Sequence, residues 1–195
     1  DGARSDVRQK LVIKMIGETY PEDWVIVDTK NDPDQEPVSK FYCRRDQPYV
    51  SIPAPDKGRR YEYRVQQEDG HQKLLDFDNI RERLSSIRSI RPKDIIRSTI
   101  YTFEAKIAER WRCGRTLLAG DAAHLTPPFA GQGLNNGLRD VHNLAWKLSL
   151  VLKEEASEKL LDSYELERRE PTRAMIDLAI ATVSYTHLTL PTKNE

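Results

Sequence analysis

Residues 115–148, RTLLAGDAAHLTPPFAGQGLNNGLRDVHNLAWKL, decide how the rest of the chain is read. The apolar run Thr116 to Ala119 stops at Gly120-Asp121, as a buried parallel strand stops at the carboxyl edge of an α/β sheet, where such folds place their ligands. Asp121 is therefore expected at a strand tip, facing a crevice. Pro127 and Pro128 stiffen the following loop, and Gly131, Gln132 and Gly133 lead into a helical pattern that starts near Leu134 and Asn135. Leu138, Val141, Ala145, Leu148 and Leu152 recur at steps of three and four, which predicts one apolar helix face. Two glycines at a helix start let a ligand approach bare backbone N–H groups, where the helix dipole also favours negative charge. The segment thus offers an acceptor carboxylate and an anion-favouring helix end, and one ligand with hydroxyls and an electron-rich end suits both.

The 31 basic and 31 acidic side chains cancel, so no global field recruits nucleic acid or an anionic membrane, and a small molecule is the expected partner. With 38% hydrophobic and 32% charged residues the 195-residue chain can build a globular core, as one domain or two. No run approaches the roughly 20 apolar residues of a membrane span and no signal peptide is visible, which makes a cytoplasmic protein the default expectation. Cys43 and Cys113 stand alone and are expected to be buried thiols. The four histidines, His71, His124, His142 and His187, include no i, i+4 zinc pair, and no metal is expected.

At the start of the chain, Ser5 is a natural N-cap for a short helix reaching Leu11 or Val12, with Asp6 favourable in its first turn. Between Trp24 and Val65 short runs rich in β-branched and aromatic residues alternate with Asp, Pro and Gly punctuation, which predicts antiparallel strands. In the last of them Tyr61, Tyr63 and Val65 share one face and Glu62 and Arg64 the other. Residues 76–91 read as an amphipathic helix ended by Pro92, and the basic residues from Arg81 to Arg97 as a solvated face. Ile95 to Arg112 is strand-like. A further helix is expected from Ala156 to Glu170, with Pro171 starting a new one or kinking the old.

The quoted stretch resembles the second flavin-binding motif of FAD-dependent aromatic hydroxylases, the class A flavoprotein monooxygenases that include para-hydroxybenzoate and phenol hydroxylases. The matching residues are Gly120-Asp121-Ala122-Ala123-His124, Pro127-Pro128, Gly131-Gln132-Gly133, Asn136-Gly137, Asp140 and Asn143 to Leu148. Asp1, Gly2, Ser5 and Arg8 resemble the family's Asp-Gly motif, which works near the flavin and in handling NAD(P)H. The resemblance implies an α/β, or mixed α+β, fold: the C-terminal part of a Rossmann-like FAD-binding domain with an inserted antiparallel-sheet substrate domain. It divides the chain into residues 1–22 (end of the first FAD segment), 23–112 (substrate domain), 113–152 (FAD-binding strand, loop and helix), 153–183 (C-terminal helices) and 184–195. That last stretch resembles sequencing-adapter read-through and is expected to be non-native. The family's Gly-x-Gly-x-x-Gly fingerprint occurs nowhere in the 195 residues, so the chain is expected to be a fragment of a longer enzyme.

The same resemblance gives each motif residue an expected role. Asp1, Gly2, Ser5, Arg8, Gly120, Asp121, Pro127, Gly131, Gln132, Gly133, Leu134 and Asn135 bind FAD, Asp121 through a ribityl hydroxyl and Gly131 to Leu134 through backbone N–H groups. Pro127 and Pro128 wall the flavin face. Tyr61 and Tyr63 are weak candidates for substrate contact, with plain core packing the favoured reading, and no catalytic side chain is identified. Phe41-Tyr42-Cys43, Tyr49 to Pro53 and Arg59 to Glu62 look most like the 3-(3-hydroxyphenyl)propionate hydroxylase branch. The implied activity is FAD- and NADH- or NADPH-dependent hydroxylation of a phenolic acid by O2, with a homo-oligomer left open for the full-length enzyme. A polyketide-tailoring or resorcinol-type hydroxylase, and a non-catalytic flavin-binding fragment, remain open alternatives.

Overall fold

A computed structural model describes residues 1–44, 47–65, 73–128 and 131–187. The described residues form two compact units, residues 1–20 with 103–185, and residues 21–102 with 186–187. It passes between them along two long strands, β1 (Met15–Thr29) and β5 (Ile95–Ala108).

In the unit of residues 21–102, β1 is followed by β2 (Lys40–Tyr42), β3 (Tyr49–Ala54) and β4 (Gly58–Arg64), in the spatial order β2-β3-β4-β1-β5. The β1–β4 and β3–β4 pairs are antiparallel, with Val25 opposite Tyr63, Val27 opposite Tyr61 and Tyr49 opposite Tyr63. This register gathers Val25, Val27, Tyr49, Tyr61 and Tyr63 on one face, where Ile80 and Leu84 of the helix Phe77–Leu84 join them in one core. That helix is shorter than the predicted 76–91: Ile87 and Arg88 donate back to the Leu84 carbonyl, and Pro92 opens a short 3-10 turn rather than ending a helix. The tyrosines do not form an open aromatic stripe. Tyr61 and Tyr63 are both buried, and the Tyr61 hydroxyl donates to Asp32 Oδ2 at 3.0 Å. Burial raises the Tyr61 phenol above its ordinary range, and the Asp32 charge pushes the same way.

The loop after β1 is held by buried charge. Arg59 is fully buried; its guanidinium donates to the carbonyls of Asp34 (3.2 Å), Glu36 (2.9 Å) and Val38 (2.8 Å) and to Ser51 Oγ (2.7 Å), and pairs with Asp34 Oδ1 at 3.2 Å. Asp32, also buried, accepts from Thr29 Oγ1, Tyr61 and Arg88. Arg88, expected on a solvated face, is thus drawn inward by this carboxylate. Cys43 is exposed and Cys113 half-buried, and both are free, so neither is the buried thiol expected.

The unit of residues 1–20 and 103–185 starts with α1 (Asp6–Lys10), whose N-cap Ser5 accepts from the Arg8 N–H at 3.0 Å. Thr116 to Ala119 is not a parallel strand. Strand β7 (Thr116–Leu117) folds back on β6 (Arg112–Cys113) as a two-residue antiparallel hairpin, because Gly114, at φ 58°, reverses the chain. A further short strand, β8 (His124–Leu125), pairs antiparallel with the end of β5, giving the order β1-β5-β8. With the helix Phe77–Leu84 counted as α2, two long helices follow, α3 (Gly133–Leu152) and α4 (Asp162–His187). Helix α4 continues through Pro171 instead of restarting there, and its backbone stays helical to His187, inside the stretch expected to be a non-native tail. Residues 188–195 of that stretch, and His71, lie outside the described residues.

The orientation of α3 departs most from expectation. Its buried side chains are Asn136, Asp140, Leu144 and Lys147, whereas Leu138, Val141 and Leu152 of the predicted apolar face are exposed, Leu138 to 59% and Leu152 to 77%. The buried Lys147 ammonium is satisfied, lying 2.7 Å from both Ser163 Oγ and Glu167 Oε2, as a buried cation requires. Among the described residues no helix is long and apolar enough to cross a membrane.

Two stability measurements check this account. Replacing Arg88 by Met strands the buried Asp32 charge and is expected to cost about 3–5 kcal/mol in denaturant melts, the scale for breaking a buried ion pair from one side. Glu62 is also buried, with Arg60 3.9 Å away, and burial raises its carboxyl above the ordinary value. The unfolded chain therefore ionises Glu62 at lower pH than the folded one, so stability falls as pH rises past the ordinary carboxylate range. Glu62→Gln is expected to raise the melting temperature by a few degrees at pH 8 and not at pH 4.

Candidate functional site

The 115–148 stretch converges on a short 3-10 turn, Gly120–Ala122, set against α3. Gly120 takes φ 58°, a conformation that a side chain disfavours, and a Cβ at Gly137 would lie 3.4 Å from the Gly120 Cα, so the two backbones pack directly on each other. Both ends of the turn are tied down. Asp140 Oδ2 accepts from the Gly120 N–H at 3.1 Å, and the buried Arg8 donates from Nη1 to the Ala122 carbonyl at 2.9 Å and from Nη2 to the Ala3 carbonyl at 2.7 Å. Asp121 sits between these ties with its carboxylate exposed, and no side-chain hydrogen bond to it is formed among the described residues.

Near this turn lies the N-terminus of α3. Its N-cap, Gln132, makes no side-chain capping bond, and the first backbone N–H turned inward is that of Asn136, donated to the Gln132 carbonyl at 2.8 Å. The preceding N–H groups of the first turn are left for an outside acceptor. Gly131, at φ 60°, and Gly133 have nothing within 4 Å of where a Cβ would stand, so the approach to this helix end is open. Pro127 is buried and Pro128 exposed, with the Pro128 carbonyl accepting from the Gly131 N–H at 2.8 Å. Phe129 and Ala130 lie outside the described residues.

Of the sequence-predicted residues, the structure brings Gly120, Asp121, Arg8, Gly131, Gln132, Gly133, Leu134 and Asn135 into one unit. Asp1 and Ser5 are joined to each other: the Ser5 hydroxyl donates to Asp1 Oδ2, which also accepts from the Val7 N–H at 3.2 Å, so both organise the start of α1. Gly2 takes φ 73°, and its carbonyl accepts from the Ser5 N–H. Tyr61 and Tyr63 belong to the separate core of the sheet unit. Residue-by-residue reading missed the cluster of buried Asp140 and His124 with half-buried Arg168. His124 Nε2 is 2.6 Å from Asp140 Oδ2, and Arg168 Nε donates to Asp140 Oδ1 at 3.0 Å. No periodicity links residues 124, 140 and 168. The one usable signal was an aspartate at 140 inside a helix whose next inward positions are Leu144 and Lys147.

An exposed acceptor carboxylate beside an open, uncapped end of a twenty-residue helix suits a ligand that offers hydroxyls and an electron-rich group, which are the features of the ribityl and ring portion of a flavin. The donor set fits that group, and the chain is of the flavin-binding class. It belongs to the FAD binding domain family, whose profile matches residues 1–179.

Among curated relatives, the chain is 44% identical over 181 residues to a 3-(3-hydroxy-phenyl)propionate/3-hydroxycinnamic acid hydroxylase of Klebsiella pneumoniae, covering 92% of this chain and 33% of that protein. It is 42% identical, with the same coverage, to the Escherichia coli hydroxylase of the same name. The chain thus spans about a third of the length of these relatives. Among solved structures, it is similar to aklavinone-11 hydroxylase in complex with FAD and aklavinone, at TM-score 0.85 and 26% identity over 95% of this chain and 36% of that one. It is also similar to p-nitrophenol 4-monooxygenase from Pseudomonas putida, at TM-score 0.84 and 26% identity over 99% and 50% of the two chains.

Because a Cβ at Gly120 would sit an ordinary 3.7 Å from Gly137 Cα, and one at Gly131 would meet nothing, substitution by Ala at either site carries only the conformational cost of a positive φ. Gly120→Ala and Gly131→Ala are each expected to destabilise by about 1–2 kcal/mol, read by thermal or denaturant melts.

Proposed function

We propose that this chain supplies the ribityl- and ring-binding part of the FAD site of a flavin-dependent monooxygenase that hydroxylates a phenolic aromatic acid. The observation that carries the reading is the exposed Asp121 carboxylate, free of side-chain partners among the described residues, on a turn that packs at Gly120 against Gly137, one turn in from the uncapped N-terminus of α3. Asp121 accepts hydrogen bonds from ribityl hydroxyls. The N–H groups of Gly133, Leu134 and Asn135 donate to the electron-rich carbonyl edge of the ring and favour its negatively charged, reduced form, since fixed dipoles stabilise charge without reorganising. Gly131 and Gly133 keep that approach clear of side chains, and the exposed Pro128, backed by the buried Pro127, contributes a rigid apolar surface that limits water. Bound FAD supplies the redox chemistry, passing electrons from NAD(P)H to O2 so that one oxygen atom enters the ring and the other leaves as water.

In this reading Asp1, Ser5 and Arg8 act at one remove from the ligand. Asp1 and Ser5 order α1, and α1 presents Arg8 to the Ala122 carbonyl. The substrate class is taken from the relatives: identity to the hydroxyphenylpropionate hydroxylases is 42–44%, against 26% to the hydroxylase crystallised with aklavinone. A phenolic ring with a short carboxylate side chain is therefore the preferred substrate over a polyketide.

The test measures FAD binding by flavin fluorescence, and NADH or NADPH oxidation with and without 3-(3-hydroxyphenyl)propionate, following oxygen label from O2 into product. Asp121→Ala is expected to weaken FAD binding about tenfold or more, the scale for losing a hydrogen bond to a charged group. Unchanged affinity in that variant would remove the flavin assignment of Asp121. NAD(P)H consumption that no phenolic acid stimulates, or product without label, would sink the monooxygenase assignment.

A further inference from the structure

Asp121 is held in place by groups that do not touch it. The turn that carries it is fixed at one end by Arg8, on the Ala122 carbonyl, and at the other by Asp140, on the Gly120 N–H. Asp140 is fully buried and receives three donors from three separate parts of the chain: the Gly120 N–H, the His124 ring and the Arg168 guanidinium of α4. A carboxylate 2.6 Å from His124 Nε2 requires the ring proton on that nitrogen. His124 Nδ1 is buried without a partner among the described residues, so the imidazole is oriented from the Asp140 side. The Arg168 charge offsets that of Asp140 in the interior.

This arrangement has one mechanical outlet. Gly120 is in a left-handed conformation, and without a side chain its φ is restrained chiefly by the bond from its N–H to Asp140. That N–H belongs to the peptide joining Ala119 to Gly120, so holding it holds φ at Gly120, the torsion that sets where the chain carries Asp121 next. Since the Asp121 carboxylate has no side-chain hydrogen bond of its own among the described residues, nothing else described on its side chain corrects its direction.

We propose that Asp140 is a positioning residue of the flavin site, which sets the direction of the Asp121 carboxylate by clamping the Gly120 peptide between α3, His124 and Arg168, without contacting the ligand. The inference rests on the reading that Asp121 holds FAD.

A double-mutant cycle on FAD affinity tests it, using the full chain and FAD as the titrant with Asp121→Ala, Asp140→Asn and the double variant. An asparagine in place of Asp140 keeps the side-chain shape, but its two chemically different ends cannot accept from all three donors. Positioning through Asp121 predicts that Asp140→Asn weakens FAD binding about tenfold in the parent chain and less than about twofold once Asp121 is replaced by alanine. A general loss of structure predicts the same fold-loss in both backgrounds, and that additive result overturns the inference while leaving the flavin reading intact. If Asp121→Ala itself leaves affinity unchanged, or the parent chain does not bind FAD, the flavin reading fails and takes the inference with it. Should Asp140→Asn fail to fold, the cycle is run with Arg168→Lys, which keeps the charge and loses the guanidinium Nε. The same dependence on Asp121 is expected at smaller amplitude, and its absence overturns the proposal.

Discussion

A guanidinium cannot be buried without acceptors, and Arg8 finds its acceptors in two carbonyls far apart in the chain. One N–H goes to Ala3 and the other to Ala122, 114 residues away in sequence. That constraint brings α1 and the Gly120–Ala122 turn together, although residues 21–102 form a compact unit of their own between them. It also explains how a whole sheet can interrupt the unit of residues 1–20 and 103–185. Long-range closure costs conformational entropy that grows only slowly with the length of the loop, and a charged hydrogen bond at the closure point is stronger than a neutral one.

The same logic turns α3 over. A helix with apolar residues at 138, 141, 145, 148 and 152 reads as having that stripe inward, and periodicity alone supports nothing else. Yet Asn136, Asp140 and Lys147 are inside and Leu134, Leu138 and Leu152 outside. What decides the orientation is pairing. Asp140 has Arg168, His124 and the Gly120 N–H, and Lys147 has Ser163 and Glu167. These partners come from α4 and from the chain after β7, so no window along α3 contains the information. Hydrophobic periodicity finds the helix; it does not report which face meets charged groups supplied by distant elements.

The legible and the illegible separate along this line throughout the molecule. Readable from local pattern were the strands between residues 24 and 65, the Ser5 cap, the helix beginning at Gly133 and the glycine-proline punctuation of the candidate site, because each depends on neighbours within a turn or a hairpin. Thr116 to Ala119 misled because a short apolar run has the same composition in a parallel strand and in a hairpin, and only Gly114 distinguishes them. Arg88 read as part of a solvated face, since a buried polar pair has no signature when its partner, Asp32, lies 56 residues away. Sequence leaves the path through Pro171 open for a related reason. A proline's missing N–H is a local fact, whereas whether the helix survives depends on the packing of Tyr164, Thr172, Ile176 and Ala179, all of which are buried.

The proposed site inherits this division between exposed and buried groups. Asp121 and the first N–H groups of α3 have few protein partners, so they remain free to meet a ligand. Arg8, Asp140, His124 and Arg168 are enclosed, and their hydrogen bonds are directed to one another or to backbone. A ligand-facing carboxylate that formed its own internal bonds would have to break them on binding, and a scaffold that relied on exposed groups would compete with water for them. Separating the two tasks lets the acceptor stay free while its direction is fixed from behind. The run from Gly120 to His124 therefore mixes two kinds of residue at adjacent positions: one that faces out, and others whose work is to make that outward position reproducible.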